Sequence, residues 1–313
     1  MQCDPQIKAL LDKAASANVP GPESLSAEQA RELYKRSRLP TQPIKPEVDV
    51  CRDIELQVPG HNIPVREYRP LGMAQSHVLP ALIYFHGGGW VIGDLDTHDT
   101  LCRELSNFAG CAVFSVNYRK APEHRFPVAL DDAIAATHYL FSHAAAMGID
   151  VQRMTIGGDS AGANLATVVA QQYRTNPVHR LILQLLVYPV TDLRLQTTSF
   201  SDYANGYGLT AAAMRYFRDT YLHDDKHILD PRASPLLATD LTGMPKTLVM
   251  TAGFDPLRDE GRAYADALSA AGNAVQYVCF ERQIHGFLGM GGMVDEANTA
   301  VRLCADFLRQ GWR

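Results

Sequence analysis

The chain has 313 residues, of which 46% are hydrophobic and 20% are charged, and its formal net charge at pH 7 is -5. This composition is that of an ordinary globular protein, long enough to bury a sizeable core in one large domain or two smaller ones. The weakly acidic balance gives no reason to expect nucleic acid or an anionic membrane as a partner.

No run of the sequence is apolar for long enough to cross a bilayer, and no secretory signal is expected because the N-terminus lacks a basic segment followed by an apolar one. The six cysteines are scattered without metal-ligand spacing, which predicts reduced, mostly buried thiols and no metal site. They are Cys3, Cys51, Cys102, Cys111, Cys279 and Cys304. The expected setting is therefore the cytoplasm.

Residues 1–45 have the character of an appendage to the rest of the chain. Apolar side chains from Ile7 to Ala14 recur at helical spacing, and Ser26 with Gln29 forms a possible capping box for a second helix. Prolines between positions 40 and 46 then predict an extended linker. Both helices are too short and thinly apolar to form a core alone, so we expect them to lie on another part of the protein.

From Val48 onward the pattern becomes that of a β-sheet. The segments Val48–Val58 and Ile63–Arg69 read as an antiparallel hairpin. Later apolar runs are continuous rather than alternating, which is typical of parallel strands that are buried on both faces. These runs are Ala81–Phe85, Cys111–Asn117, Met154–Ile156, Leu181–Tyr188, Thr247–Thr251 and Val275–Phe280.

Helical stretches lie between most of these strands. They are Asp96–Ala109, Val128–Met147, Ala161–Thr175, Leu257–Ala271 and Asp295–Leu308. Alternating strands and helices after an antiparallel start predict an α/β fold with one open, mostly parallel sheet flanked by helices.

One long interval, from Asp192 to Lys246, contains no predicted strand but does contain a helix that starts near Thr210. An insertion after the carboxyl end of a strand lies above the sheet, where active sites of this architecture are found. We therefore interpret residues 196–226 as the second part of a cap whose first part is residues 1–45. Residues 46–195 and 227–313 would form the α/β domain.

The sequence Gly158-Asp-Ser-Ala-Gly162 stands between a strand and a helix. A G-x-S-x-G motif in this context predicts a nucleophile elbow, a turn so sharp that Ser160 is strained and its hydroxyl exposed. Gly158 and Gly162 would be required because a Cβ there would collide with the neighbouring strand or helix. The motif alone is weak, since a plain glycine-rich turn has the same letters.

The second motif, His86-Gly-Gly-Gly89, directly follows a predicted strand. Consecutive glycines let the backbone approach a ligand and turn free N–H groups toward it, as in the oxyanion holes of lipases and esterases. The candidate donors are the N–H groups of Gly88, Gly89 and Ala161. For His86 itself a structural role is favoured over a catalytic one.

A serine becomes a nucleophile when a base takes its proton and an acid orients that base. Of the eleven histidines, His285 lies in a loop after the last strand, on the same sheet edge as Ser160. Asp255 also follows a strand, and the order Ser160, Asp255, His285 is that of α/β hydrolases. Asp192, at another strand end, is the best alternative acid.

Other titratable residues are assigned lesser roles. Asp259 and Glu260 are expected inside the next helix, facing away as surface charges. The histidines in or beside helices are expected to be solvated or to cap those helices: His98, His138, His143 and His179. Trp90, Tyr188 and Leu209 are candidates for the substrate pocket, although an ordinary core role would explain each of them equally well.

Five motifs together resemble the bacterial hormone-sensitive-lipase-like (family IV) carboxylesterases. They are His86-Gly-Gly-Gly-Trp90, Tyr118-Arg-Lys-Ala-Pro-Glu123, Gly158-Asp-Ser-Ala-Gly162, Asp255-Pro-Leu and His285-Gly-Phe. The resemblance covers nearly the whole chain and implies an α/β-hydrolase fold with a two-part helical cap. It also implies an oxyanion hole made by Gly88, Gly89 and Ala161. The last strand, Val275–Phe280, is apolar and short of the charges that protect an open edge, which predicts a homodimer paired through it, and the resemblance supports that prediction.

Two positions depart from the family pattern. Ala163 stands where glycine is more usual, which predicts tighter packing beneath the serine, and Lys120 stands where leucine is more usual. Neither touches the predicted triad. The sequence therefore predicts a carboxylesterase that hydrolyses short- to medium-chain esters through an acyl-enzyme, without metal or organic cofactor. The alternatives are a deacetylase or amidase for a specific metabolite, or a ligand-binding receptor on the same fold, against which the intact His285 argues.

Overall fold

The computed structural model describes residues 2–73 and 77–313, and within these ranges the chain forms one eight-stranded β-sheet with helices on both faces. The strands lie in the order β1-β2-β4-β3-β5-β6-β7-β8. Their bounds are β1 Val50–Val58, β2 His61–Arg69, β3 Leu79–Phe85, β4 Ala112–Val116, β5 Ile149–Asp159, β6 Leu183–Val187, β7 Lys246–Phe254 and β8 Val275–Ile284.

The sheet begins with the predicted antiparallel hairpin. Strands β1 and β2 pair antiparallel around the two-residue turn Pro59-Gly60, in which Gly60 has a φ of +88° that favours glycine. Strand β2 also runs antiparallel to β4, and every later pairing in the sheet is parallel. The prediction of a mostly parallel sheet with an antiparallel start is confirmed.

Two helical layers bury the faces of the sheet. The helices are α1 Pro5–Ser16, α2 Ala27–Arg38, α3 Asp99–Ala109, α4 Val128–Ser142, α5 Ala161–Tyr173, α6 Thr198–Asp202, α7 Ala211–Tyr221, α8 Arg258–Ala270 and α9 Asp295–Gly311. Helices α4, α5 and α8 pack on one face with inward side chains such as Ile83 and Phe85, whereas α3 and α9 pack on the other with Leu82 and Tyr84. This alternation along β3 is the two-residue period of a strand buried on both sides.

Some boundaries differ from the sequence-based expectation for local reasons. Helix α3 begins three residues later than expected, because Asp94 and Thr97 bond to each other through their side chains and backbones and form a turn instead. Strand β5 starts earlier, at the buried Ile149, and passes through four residues that are at least partly exposed before its apolar core. Strand β8 continues through the charged segment Glu281–Arg282 up to Ile284. Extended pairing therefore reaches beyond the apolar cores of these strands.

The N-terminal helices lie against the rest of the chain, as their one-sided apolar pattern predicts. The capping box of α2 is present, since Ser26 and Gln29 exchange hydrogen bonds between side chain and backbone. The Arg31 guanidinium of α2 donates to the carbonyl oxygens of Val91 and Ala121 and pairs with Glu123 at 2.6 Å. These contacts attach α2 to the segments that follow β3 and β4.

The long interval between β6 and β7 contains, in agreement with the prediction, helices but no strand in this described part of the chain. Helix α7 begins after Thr210, whose hydroxyl caps it, and buries Met214, Phe217 and Tyr221 on one side. It packs against the short turn Pro22–Ser24 from the N-terminal segment. Among the residues described, none of the helices has the combination of length and apolarity that a membrane span requires.

Candidate active site

The turn between β5 and α5 has the geometry of a nucleophile elbow. Ser160 has φ +55° and ψ -119°, a combination that L-residues rarely adopt and that stores strain. A Cβ on Gly158 or on Gly162 would collide with the carbonyl of Phe85 at the end of β3. Both glycines are therefore needed for close packing around the turn, as the motif predicts.

The structure brings together the three side chains that the sequence selected from distant segments. His285 Nε2 lies 2.9 Å from Ser160 Oγ, and His285 Nδ1 lies 2.8 Å from Asp255 Oδ2. Asp255 is fully buried, and its other oxygen accepts the N–H of Leu257 at 2.9 Å. A buried carboxylate held in this way fixes the imidazole with Nδ1–H toward Asp255, so Nε2 is left free to accept the serine proton.

Backbone N–H groups border the same site. Gly88 and Gly89 have φ values of +123° and +57°, and Ala161 is the first residue of α5, at the positive end of the helix. In residues 2–73 and 77–313 we find no acceptor for the N–H groups of these three residues. Gly87 has a different reason to be glycine, because a Cβ there would press on the Asp159 carboxylate.

Sequence reasoning missed the role of Asp159, the residue before the serine. Its Oδ1 accepts hydrogen bonds from Tyr84 Oη at 2.8 Å and from the Gly87 N–H at 2.9 Å, and it lies 3.2 Å from His98 Nε2. Burial favours a higher pKa for the Asp159 carboxyl, but the nearby His98 and the hydrogen bonds from His98 and Tyr84 outweigh it and lower the pKa. Asp159 is therefore ionised, and it links the loop His86–Gly89, here called the glycine loop, to the elbow.

His98 itself corrects an expectation. It was expected to be solvated or to cap a helix, but it is buried, makes no side-chain cap and faces Asp159. Its other ring nitrogen lies 3.0 Å from Thr97 Oγ1. The reason is the late start of α3, which turns the His98 ring inward to the carboxylate behind the elbow. The signal that the sequence does contain is Asp159 inside the G-x-S-x-G motif, because a carboxylate packed beside the elbow needs hydrogen-bond donors.

His86 has the structural role that was favoured for it. The ring is buried and stacks on Tyr118 with centroids 4.4 Å apart, and its Nδ1 lies 2.9 Å from the Gly87 carbonyl oxygen. Burial lowers the pKa of His86 well below its ordinary value, so the ring is neutral at pH 7. It supports the glycine loop from behind.

The alternative acids lie in other environments. Asp192 is buried and pairs with Arg194, with 2.6 Å between Oδ2 and Nη2. Asp259 accepts the Ser199 N–H and pairs with Arg258 on the half-exposed face of α8. His285 Nδ1 faces Asp255 instead.

The expectation for Glu260 is wrong. It is fully buried rather than a surface charge, and its Oε1 accepts the N–H groups of Thr191 and Asp192 at 2.7 and 3.2 Å. Burial raises the pKa of this carboxyl well above its ordinary value. The cause is tertiary packing: helix α8 places Glu260 against the segment that follows β6, where the N–H groups of Thr191 and Asp192 donate to it.

A pocket of about 550 Å³ opens above Ser160 and His285. Residues 1–45 and 196–226 both contribute apolar side chains to its wall, including Leu10, Leu11, Leu209, Met214 and Phe217. A site this large and apolar, with a few polar groups at its floor, is typical of small-molecule binding.

The three candidate pocket residues are placed differently. Trp90 and Leu209 line the pocket, and the Trp90 ring stacks on Tyr221 with centroids 4.3 Å apart. Tyr188 lies beneath His285 instead, with ring centroids 4.6 Å apart, and is buried outside the lining. Tyr188 directly follows β6, and its φ of +34° is unusual for a residue other than glycine.

The two departures from the family pattern lie outside the triad. Ala163 is fully buried in the first turn of α5. Lys120 donates to Asn117 Oδ1 at 2.9 Å, and burial lowers the pKa of its ammonium to about 8. Its charge also helps to lower the pKa of His86, after the larger effect of burial.

Comparison with known proteins gives one consistent result. Residues 82–289 match the family described as having the alpha/beta hydrolase fold. An ethyl acetate hydrolase of Pseudomonas putida is 38% identical, with 99% of each chain covered, and the carboxylic ester hydrolase LipN of Mycobacterium tuberculosis is 44% identical, covering 81% of this chain and 69% of that protein.

The similarity extends to solved structures. An α/β-hydrolase enzyme from the metagenome of Lake Arreo, Spain, superposes with a TM-score of 0.95 at 40% identity, covering 99% of this chain and 98% of the other. Identity at this level over nearly complete chains shows more than a shared fold. The chain belongs to the hormone-sensitive-lipase-like (family IV) branch of the α/β hydrolases and is a carboxylic ester hydrolase.

Proposed function

We propose that the protein is a serine carboxylesterase that hydrolyses short- to medium-chain esters, with Ser160 as nucleophile, His285 as general base and Asp255 as the acid that orients it. The observation that carries this proposal is the pair of hydrogen-bond distances, 2.9 Å from Ser160 Oγ to His285 Nε2 and 2.8 Å from His285 Nδ1 to Asp255, at the floor of an apolar pocket.

In the acylation step, Ser160 Oγ attacks the ester carbonyl carbon while its proton passes to His285 Nε2. The carbonyl oxygen becomes an oxyanion that the N–H groups of Gly88, Gly89 and Ala161 stabilise. The C–O bond to the alcohol then breaks, and the leaving alkoxide takes the proton from His285. Water repeats the sequence on the acyl-enzyme and releases the carboxylic acid and free Ser160, so no metal or organic cofactor is required.

We further propose that residues 1–45 and 196–226 form the two parts of a cap over this site. Leu10 and Leu11 from α1 and Phe217 from α7 line the same pocket, which supports a shared role. Ring atoms of Phe217 also occupy the space beside Gly89 where a Cβ would stand. Closing the cap excludes water from the oxyanion donors, where competition and screening by water would weaken stabilisation.

Hydrolysis of a series of p-nitrophenyl esters of increasing acyl length tests both proposals. We expect the wild type to prefer short and medium chains and to hydrolyse the palmitate poorly, because the pocket is limited in volume. The double variant Leu10→Ala/Leu11→Ala should lower kcat/KM about tenfold for the octanoate but less than threefold for the acetate, since each lost leucine contact is worth roughly 1 kcal/mol or less. An unchanged chain-length profile would contradict the role of α1 as cap.

We propose that two copies of the chain pair through β8. This strand is a sheet edge whose first six residues, Val275–Phe280, carry no charge; its two charges, Glu281 and Arg282, follow them. The opposite edge, β1, carries three charges in its middle, at Arg52, Asp53 and Glu55. Charges are a common protection of an open edge against pairing, so β8 is the less protected one. The family resemblance supports the same arrangement.

Sedimentation velocity at micromolar concentration should therefore show a dimer. The variant Val278→Lys, in the middle of β8, should be monomeric because it places an ammonium at the paired edge. The matched change Ile54→Lys in β1 alters a similarly half-buried residue of the other edge and should leave the dimer intact. A monomeric wild type would refute the proposal.

A further inference from the structure

The last residue of α2, Arg38, is a buried cation beside the proposed base. Only 7% of its surface is exposed, and its Nη1 donates to the carbonyl oxygen of Gly286 at 2.9 Å, directly after His285. Arg38 and His285 line the same pocket. The guanidinium therefore connects the N-terminal segment to the loop that carries His285.

The charge of Arg38 has no partner of opposite sign at contact distance. Among residues 2–73 and 77–313, no carboxylate oxygen lies within 4.0 Å of its guanidinium, and its buried Nε has no hydrogen-bond acceptor there. The neighbouring cations of α2 differ, since Arg31 pairs with Glu123 and Lys35 with Asp96, each at 2.6 Å. Burial alone would lower the pKa of the Arg38 guanidinium, but nearby Tyr34, Tyr188 and Asp159 outweigh it and raise that pKa, so the charge is compensated at longer range. Arg38 differs from the other two cations because its guanidinium bonds to the loop after His285 and not to a carboxylate.

The loop after His285 is shaped around the guanidinium. Gly286 has φ +79°, and a Cβ on it would stand 3.5 Å from Arg38 Nη1. A Cβ on Gly289 would collide with Arg38 Nη2. Gly289 thus leaves the space that the guanidinium fills, whereas Gly286 is favoured by its positive φ. The hydrogen bond to the Gly286 carbonyl fixes the peptide unit that follows the histidine.

We propose that Arg38 is a positioning residue for His285, through which α2 holds the base in line with Ser160 and Asp255; this rests on the proposed catalytic role of His285. The hydrogen bond from Nη1 restrains the Gly286 carbonyl and so the backbone on which the imidazole stands. Since Arg38 belongs to the N-terminal cap segment, moving that segment away releases the restraint. In this proposal, His285 is aligned with Ser160 and Asp255 only while the N-terminal cap segment is docked.

The test compares Arg38→Met, Arg38→Lys and the control Arg31→Met by kcat, KM and thermal unfolding, with p-nitrophenyl acetate as substrate. Methionine keeps an unbranched chain but removes the charge and the donor, so Arg38→Met should lower kcat about 10- to 100-fold and leave KM within about twofold. Its Tm should stay within about 5 °C of the wild type, because the change removes a hydrogen bond to a carbonyl but no ion pair at contact distance.

Lysine still carries a donor, and Arg38→Lys should recover part of the lost kcat. Arg31→Met removes a cation of the same helix but leaves Arg38 and its hydrogen bond to Gly286 in place, so its kcat should stay within about threefold of the wild type. The low-field proton NMR signal of the His285–Asp255 hydrogen bond should broaden or shift in Arg38→Met and remain in Arg31→Met.

Wild-type kcat in Arg38→Met would overturn the positioning role, and so would equal kcat losses in Arg38→Met and Arg31→Met. Neither result touches the proposed function, which the wild type and Ser160→Ala test separately.

Discussion

Replacing Ser160 with alanine should abolish ester hydrolysis, with kcat about 10⁵- to 10⁶-fold lower, the scale of nucleophile removal in serine hydrolases. The hydroxyl is the only part lost, and without it no acyl-enzyme forms. The pocket, the glycine loop and His285 stay in place, so any residual rate reflects binding and oxyanion stabilisation alone. Initial rates with p-nitrophenyl butyrate give the size of the loss.

A fluorophosphonate probe supplies the second measurement. It should label the wild type and the control Ser201→Ala, whose serine is exposed on α6, but not Ser160→Ala. Thermal unfolding should be nearly unchanged, because alanine keeps the backbone of the elbow. Labelling of Ser160→Ala at another serine would refute the assignment.

Asp255→Asn should lower kcat by roughly 10³- to 10⁴-fold while the fold survives. Asparagine has almost the shape of aspartate, but its amide can present an N–H to His285 Nδ1. The imidazole then carries its proton on Nε2, facing Ser160, and cannot accept the serine proton. Because Asp255 is fully buried, water cannot replace the lost carboxylate. The measurement is kcat for p-nitrophenyl butyrate at neutral pH.

Asp192→Asn and Asp259→Asn are the matched controls, since each makes the same change in a carboxylate that the sequence analysis considered beside Asp255. Asp192 pairs with Arg194 and Asp259 with Arg258, so each change should disturb a local ion pair and cost kcat no more than about threefold. If Asp192→Asn proved as damaging as Asp255→Asn in a folded protein, the acid would be wrongly assigned.

The sequence by itself determined the sheet, its order of elements and the members of the proposed triad. These are local signals: apolar runs mark buried strands, the capping box of Ser26 and Gln29 marks the start of α2, and glycines at 158 and 162 mark a turn that tolerates no Cβ. Ser160, Asp255 and His285 each follow a strand, and the carboxyl ends of parallel strands meet at one edge. Because each of the three residues directly follows a strand, the sequence predicted that their side chains would meet.

Only the tertiary structure decided which other charges are buried and what they contact. Glu260 was expected at the surface and Asp159 was a mere member of a motif, yet both are buried against donors from remote segments. Arg38 reaches a carbonyl 248 positions away. Helical spacing indicates which side chains share one face of a helix, but whether they are buried depends on what packs on that face. That is settled by contacts between segments far apart in the chain, which no local pattern records.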